Sequence, residues 1–278
     1  MKDNFLTIDV EDYFQVENFK KTVKFSDWGK YSSRVVRNTG KTLEILAEAN
    51  AKITFFVLGW VAERFPEVVK KISLAGHEIA SHGYAHQLIY KQSQHEFRED
   101  IKRAKDVLEN ITSQPVLGYR APNYSITNKC VWAMDILLEE GFKYDSSVFP
   151  IYHDRGGLPQ GTRFPYKICN GPHCLCEFPI STTVLLNNNF PFSGGGYFRL
   201  LPYAFVKQAI KKINQQGYPA VIYLHPWELD PQQPRIKTDY ISRFRHYTNI
   251  GTTEKKLRAL LKDFNFKPIK DALNEYQQ

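Results

Sequence analysis

No stretch of this 278-residue chain approaches the ~20 consecutive apolar residues of a membrane-spanning helix. The opening residues, MKDNFLTIDVEDYF, hold no apolar run of leader length and bring in acids within a dozen positions, which predicts a cytoplasmic protein. Internal repeats and low-complexity linkers are absent, which argues against a repeat array or a string of tethered modules. Cysteine is scarce, at four residues. Cys130 lies in an apolar helical pattern and reads as a buried thiol. The other three fall in CNGPHCLC, residues 169–176, together with His173. That cluster reads as a small structural zinc site or a disulfide, but its spacing matches no common zinc pattern and a cytosolic chain keeps its thiols reduced. Concentrated positive charge is also missing. The net charge of +8 admits an anionic partner, yet the basic residues are scattered. The densest clusters, FKKTVKF and TTEKKLRALLK, carry apolar residues at strand or helix spacing and read as solvated surface, so no nucleic-acid partner is expected.

What is present is an ordinary globular composition, 42% hydrophobic and 24% charged, at a length normal for a single α/β barrel. Such a chain buries a core large enough to need no disulfide or metal staple. Aromatic residues reach 14%, which suits a sugar-binding cleft as well as a core. Strand-like and helix-like segments alternate. FLTID, KITFFVLG, HEIAS, PVLGYRAP, KYDSS and YPAVIYLHP read as strands. GKTLEILAEANA, ERFPEVVKKISLAGH, QHEFREDIKRAKDVLENI, NKCVWAMDILLEEGF, YAFVKQAIKKINQQG and TEKKLRALLKDF read as helices. The alternation predicts parallel strands joined by right-handed crossovers, in a barrel or an open doubly wound sheet. Residues 150–200, rich in glycine and proline, break the rhythm and read as an irregular insertion within one domain.

Parallel α/β folds gather their chemistry at the carboxyl ends of the strands. Here those ends carry Asp9, Glu11 and Asp12 in TIDVED, His82 and His86 in SHGYAH, Arg120 in GYRAPNY, Asp145 in YDSS and His225 in YLHP. Taken singly, each has a structural explanation: a helix cap, a turn, a solvated pair, a buried ion pair. Together they would place unpaired charge at one end of the fold without purpose. Histidines four apart fall on one face of a helical turn and suit two ligands of one cation. Two imidazoles and one carboxylate make a three-ligand shell that leaves positions for water and substrate, as catalytic zinc requires. A further carboxylate can then act as base, a histidine across the cleft as acid, and Arg120 as the group that aims the base.

TIDVEDYF, SHGYAH, GYRAPNY and YLHP, in this order and spacing, resemble the successive motifs of the NodB-homology polysaccharide deacetylases, carbohydrate esterase family 4. DVEDYFQV with the late LHPWELDP is similar to the branch found in exopolysaccharide gene clusters with an exosortase system, near allantoinase-like and peptidoglycan-deacetylase-like members. The resemblance covers most of the chain to about residue 226, with residues 226–278 as a C-terminal extension of one domain. It implies a distorted (β/α) barrel of about seven parallel strands. It implies Asp9 as base, Arg120 as the arginine that orients it, His225 as acid, and His82 and His86 as ligands of a divalent metal, Zn2+ first with Co2+ or Ni2+ as alternatives. It also places the Asn123 backbone N–H as an oxyanion donor beside Tyr124 on the substrate side.

The chain departs from the family pattern at two places. Val10 and Glu11 separate Asp9 from Asp12, where the common motif has adjacent acids. Strand alternation puts Glu11 on the same face as Asp9, and a turn at the strand end presents Asp12; Asp12 is favoured as third ligand, with Glu11 its rival. The acid that tunes His225 is left among Asp145, Glu228 and Asp230. FSGGGYFRLLP is expected to line the cleft, with Arg199 placed to meet an anionic sugar. The resulting expectation is a metal-dependent N-deacetylase of N-acetylhexosamine units in a bacterial exopolysaccharide or its precursor. Its rivals are an amidohydrolase of a small amide and a non-catalytic glycan-binding protein of an export system. An open groove favours a glycan and a closed pocket a small molecule.

Overall fold

A computed structural model describes residues 2–277. Its frame runs β1 (Phe5–Val10), α1 (Val35–Glu48), β2 (Thr54–Val57), α2 (Gly59–Arg64), α3 (Pro66–Leu74), β3 (Glu78–Ser81), α4 (Gln94–Thr112), β4 (Gly118–Tyr119), α5 (Ala133–Glu139) and β5 (Tyr144–Asp145). It continues through β6 (Tyr166–Asn170), β7 (His173–Glu177), β8 (Thr182–Leu185), β9 (Asn188–Pro191), α6 (Gly195–Leu200), α7 (Tyr203–Gln215), β10 (Val221–Leu224), α8 (Tyr240–Tyr247), α9 (Thr253–Asp263) and α10 (Leu273–Gln277). The main sheet has the order β10-β1-β2-β3-β4-β5-β7-β6. Seven of its strands are parallel, and β6 runs antiparallel to β7 at the edge. This is the distorted seven-stranded (β/α) barrel expected from the sequence. The gap between β10 and β7 is bridged by the chain beyond β7: Ser181 donates to the Val221 carbonyl at 3.2 Å and Tyr223 to the Ser193 carbonyl at 2.9 Å.

Two cores follow from the period of two along each strand. Leu6, Ile8 and Val10 of β1, Phe55 and Val57 of β2, and Ile222 and Leu224 of β10 pack outward against the helices. Phe5, Phe56, Ala80, Tyr144, Cys176, Val221 and Tyr223 take the alternate register and fill a smaller inner core with Phe178 and Ile180. Strands buried on both faces explain why these segments read as near-continuous apolar runs. Gly118 lies in the inward register, where a Cβ would fall 1.9 Å from the Tyr144 ring. The floor of the barrel is closed by the C-terminal segment. The Ile269 N–H donates to Thr54 Oγ1 at 2.9 Å and the Lys270 N–H to Glu78 Oε2 at 3.0 Å, while Ile269, Ala272 and Leu273 join the inner core.

Three expectations change. The helix expected over ERFPEVVKKISLAGH is split into α2 and α3 at Pro66, which lacks the N–H that would continue α2 and starts α3 at its first position. The segment 150–200 is more than an irregular insertion, because β7 enters the main sheet beside β5 with Tyr144 opposite Cys176. Cys169 and Cys174 face each other across the β6–β7 hairpin and form a disulfide, which replaces both the zinc reading and the expectation of reduced thiols. Cys130 and Cys176 are free and buried. Among the described residues, no helix is long and apolar enough to cross a membrane.

One buried histidine makes the frame acid-sensitive. His77 Nδ1 accepts the Ile53 N–H at 3.2 Å, an arrangement only the neutral ring permits, and its ring meets the edge of Phe55. Burial, with the nearby Lys52 charge, lowers its pKa from the usual 6.5 to about 4. The unfolded chain therefore binds the extra proton between those values. The stability from neutral His77 is complete above pH 6.5 and is lost as the pH falls toward 4, by about 3 kcal/mol in all. His77→Asn keeps the acceptor without the titration, so urea midpoints from pH 7 to 4 should fall less in the variant than in the wild type. Identical slopes would remove His77 from the account.

Candidate active site at the carboxyl ends of the strands

The inward registers of β1, β3, β4, β5 and β10 deliver polar side chains to the open end of the barrel. Asp9 and Glu11 continue the series of Phe5 and Thr7, His82 follows Ala80, Arg120 follows Gly118, Ser146 follows Tyr144, and His225 follows Tyr223. Asp9, Glu11, His82, His86, Asn123, Tyr124 and His225 line one cleft of about 410 Å³. At its base Arg120 is fully buried. Its Nη1 donates to Asp9 Oδ1 at 2.7 Å and to Thr7 Oγ1 at 2.6 Å. Its Nε and Nη2 donate to the Ser146 carbonyl at 3.1 Å and to Ser146 Oγ at 2.8 Å. The Phe56 ring lies beneath the guanidinium at 4.1 Å. A planar fork held on four partners fixes the direction of the Asp9 carboxylate.

Glu11, His82 and His86 form a buried cluster whose candidate ligand atoms all lie within 4.8 Å of one another. His82 Nδ1 sits 2.8 Å from the Arg120 carbonyl; as the donor there it leaves Nε2 free to bind a cation. Burial lowers the His82 pKa to about 4, so the ring is neutral at physiological pH. Glu11 Oε2 is buried without a hydrogen-bond donor and faces His86 Nε2 at 3.0 Å. Burial alone would raise the Glu11 pKa, but His86, His225 and His82 outweigh it and hold it at about 2. One ionised carboxylate and two ring nitrogens, with a carboxylate oxygen left unpartnered, fit a divalent metal of the zinc type. The two histidines do not share a helical turn, as their spacing suggests. Residues 82–86 form an irregular loop with Gly83 at φ 72° and His86 at φ 51°. Asp100 of α4 holds that loop by accepting the N–H groups of Tyr84 at 2.7 Å and Ala85 at 3.2 Å.

Across the cleft, His225 Nδ1 lies 2.5 Å from Glu228 Oε1, and His225 Nε2 lies 3.4 Å from Glu11 Oε1. Burial disfavours the charged ring, but the Glu228 bond and the Glu11 charge prevail and raise its pKa to about 9. Trp227 stacks between His225 and His246 and donates Nε1–H to Glu11 Oε1 at 3.3 Å. The partner of His225 is thus Glu228. Asp145 accepts from the Ser147 N–H and hydroxyl, and Asp230 pairs with Arg34 and Arg37.

Two expected site residues are placed elsewhere. Asp12 is outside the cluster because its carboxylate is already fully occupied. It accepts from the Tyr13 N–H at 3.0 Å, Ser33 Oγ at 2.6 Å and the Arg34 and Val35 N–H groups at 2.9 and 3.3 Å, an anion at the start of α1. Arg199 is not available to an anionic sugar. Its Nε donates to Glu228 Oε2 at 2.9 Å, and its remaining nitrogens donate to the carbonyls of Arg245, His246 and Thr248. It braces the acid that braces His225. Asn123 and Tyr124 do line the cleft, both with left-handed backbone, at φ 52° and 53°. Asp100 and Trp227 escape a reading of the sequence because each acts from a different element; Trp227 sits beside a strand-end histidine, which is the one local signal.

A sequence model described as "Polysaccharide deacetylase" matches residues 25–137, and one described as "Domain of unknown function (DUF3473)" matches residues 146–274. The peptidoglycan-N-acetylglucosamine deacetylase of Bacillus cereus is 36% identical over 98 residues, which is 35% of this chain and 36% of that protein. The chain spans less than half the length of the curated relatives it matches. Among solved structures, a probable polysaccharide deacetylase from Pseudomonas aeruginosa PAO1 superposes with a TM-score of 0.63 at 16% identity, over 97% of this chain and 89% of that one. Puue allantoinase superposes with a TM-score of 0.62 at 16% identity, over 97% and 88%. At these identities the likeness is one of fold.

Proposed function

From a chain that belongs to the polysaccharide deacetylase family, we propose a metal-dependent hydrolase that removes acetyl groups from N-acetylhexosamine units of a bacterial exopolysaccharide or its precursor. One observation carries the reading: the Glu11, His82 and His86 cluster, the Asp9–Arg120 pair and the His225–Glu228 pair converge on a single cleft. A divalent cation held by Glu11, His82 and His86, Zn2+ first with Co2+ or Ni2+ as alternatives, would polarise the acetamide carbonyl and make water more acidic. Asp9, aimed by Arg120, takes a proton from the attacking water as its oxygen bonds to the carbonyl carbon. The Asn123 N–H is assigned to the oxygen that gains charge. His225, protonated through its bond to Glu228, gives its Nε2 proton to the departing nitrogen as the C–N bond breaks. Acetate and a free amine leave.

The cleft supports a glycan over a small amide, because it extends from these residues to Tyr240, which is 82% exposed at the rim. His225→Ala should slow acetate release from N-acetylated oligosaccharides by ~10²–10⁴-fold, the usual worth of a general acid, while bound metal stays constant. Equal rates for the two proteins, or no acetate from any N-acetylated glycan with zinc or cobalt supplied, would sink the reading.

A further inference from the structure

The cleft does not end with the reacting groups. Beyond Asn18 it opens, through Arg155, Ile241 and Arg245, into an adjoining groove lined also by Lys20, Lys21 and Lys91. That groove holds five cations against the carboxylates of Glu17, Asp154 and Asp239. The three carboxylates are engaged. Glu17 lies 3.4 Å from Lys20, Asp154 lies 2.9 Å from Arg245, and Asp239 caps α8 through the Ser242 N–H at 2.9 Å. Arg155 differs from its neighbours. It is half-buried at the junction of cleft and groove, its Nη1 donates to the neutral amide oxygen of Asn18 at 2.6 Å, and among the described residues it makes no ion pair. Burial and the charge of Arg245 push its guanidinium below the usual arginine value, against the opposing charges of Asp154, Glu17 and Asp239, none of which forms an ion pair with it. A half-buried guanidinium beside another, without a carboxylate of its own, costs stability that an arriving anion would offset.

We propose that this groove is a subsite for an anionic group on the substrate, a carboxylate or a phosphate, so that the enzyme acts on an acidic glycan or a glycosyl phosphate and not on a neutral polymer. Tyr240 and Phe244, 82% and 47% exposed and one turn apart on α8, share the rim of the cleft and offer apolar faces to a pyranose ring. The inference rests on the deacetylase reading but needs its own measurement.

Three N-acetylated disaccharides separate the cases: a neutral one, its 1-phosphate, and one carrying a uronate. For wild type, kcat/KM for acetate release should favour at least one anionic compound by about tenfold, through KM, and the preference should shrink as ionic strength rises to about 0.5 M. The compound preferred identifies the source of the anion. In Arg155→Gln the preference should fall to about twofold or less, and Lys21→Gln, on an exposed side chain, should lower it in the same direction by a smaller factor. Equal kcat/KM for all three compounds, or a preference that survives in Arg155→Gln, overturns the subsite and leaves the deacetylase reading intact. If no compound releases acetate, calorimetric binding of the same three decides. Tighter binding of an anionic compound that Arg155→Gln abolishes supports the subsite while the deacetylase reading fails, and equal binding overturns the subsite as well.

Discussion

Under the proposed assignment of the metal ligands, Glu11→Gln is expected to abolish metal binding, whereas Asp12→Asn is expected to preserve it. Glu11 supplies the only carboxylate of the buried cluster, and its Oε2 has no hydrogen-bond donor to keep it otherwise occupied. Glutamine has nearly the same shape but presents a neutral oxygen to a divalent cation. Metal bound per chain should drop below detection after dialysis, and acetate release should fall by roughly 10³-fold or more, the several kcal/mol that metal polarisation contributes. Asp12→Asn should retain the metal and most of the rate. Its cost is to stability, about 2 kcal/mol, because four donors around residues 13 and 33–35 lose their anion. Metal analysis and thermal melts on the two variants give opposite patterns under this assignment. Metal loss in Asp12→Asn with retention in Glu11→Gln would reverse it.

Arg120→Leu is expected to be the most destabilising single change at the site, by about 3–5 kcal/mol, since it leaves the buried Asp9 carboxylate without its partner. Thr7 Oγ1, Ser146 Oγ and the Ser146 carbonyl lose their donor in the same step. Arg120→Lys should restore little, because one ammonium cannot span Asp9 on one side and Ser146 on the other. The asymmetry of buried ion pairs supplies the check. Adding Asp9→Asn to Arg120→Leu should recover part of the lost stability in urea unfolding while activity stays low. A double variant less stable than Arg120→Leu by the full cost of Asp9→Asn alone would show that the two residues do not interact.

The sequence was legible where a residue's role follows from its own strand. The ends of FLTID, HEIAS, PVLGYRAP and YPAVIYLHP each carry the polar residue that the inward register delivers, so Asp9, His82, Arg120 and His225 could be picked out before any coordinates. Period two also pointed to Glu11, while the Asp12 carboxylate turns away to Ser33 to Val35, partners that lie more than twenty positions away and leave no mark beside it. Arg199 misled for the same reason: what consumes its donors is Glu228 and three carbonyls from α8 and the residues just after it. The Cys169–Cys174 pairing depends on a hairpin whose strands, YKICN and HCLCE, are too polar to announce themselves as sheet. β7 becomes the seventh parallel strand because β5 offers it an edge, a property of the fold and not of residues 173–177.

The floor of the barrel sets a schedule for synthesis. β1 lies between β2 and β10, so the second strand made and the last share the first as neighbour, and Phe5 waits for Val221. Thr54 and Glu78 are later still in finding partners, at Ile269 and Lys270, separations of 215 and 192 residues. Contacts so distant along the chain slow folding, because the entropy of closing the loop is lost before the contact rewards it. Until about residue 224 has been made an edge of β1 stands open, and until about residue 273 the inner core lacks its base. A ribosome-bound chain therefore carries an unfinished sheet through nearly its whole elongation, and it is in that interval, before any metal can be held by strands in final register, that this protein is most exposed to pairing with the wrong edge.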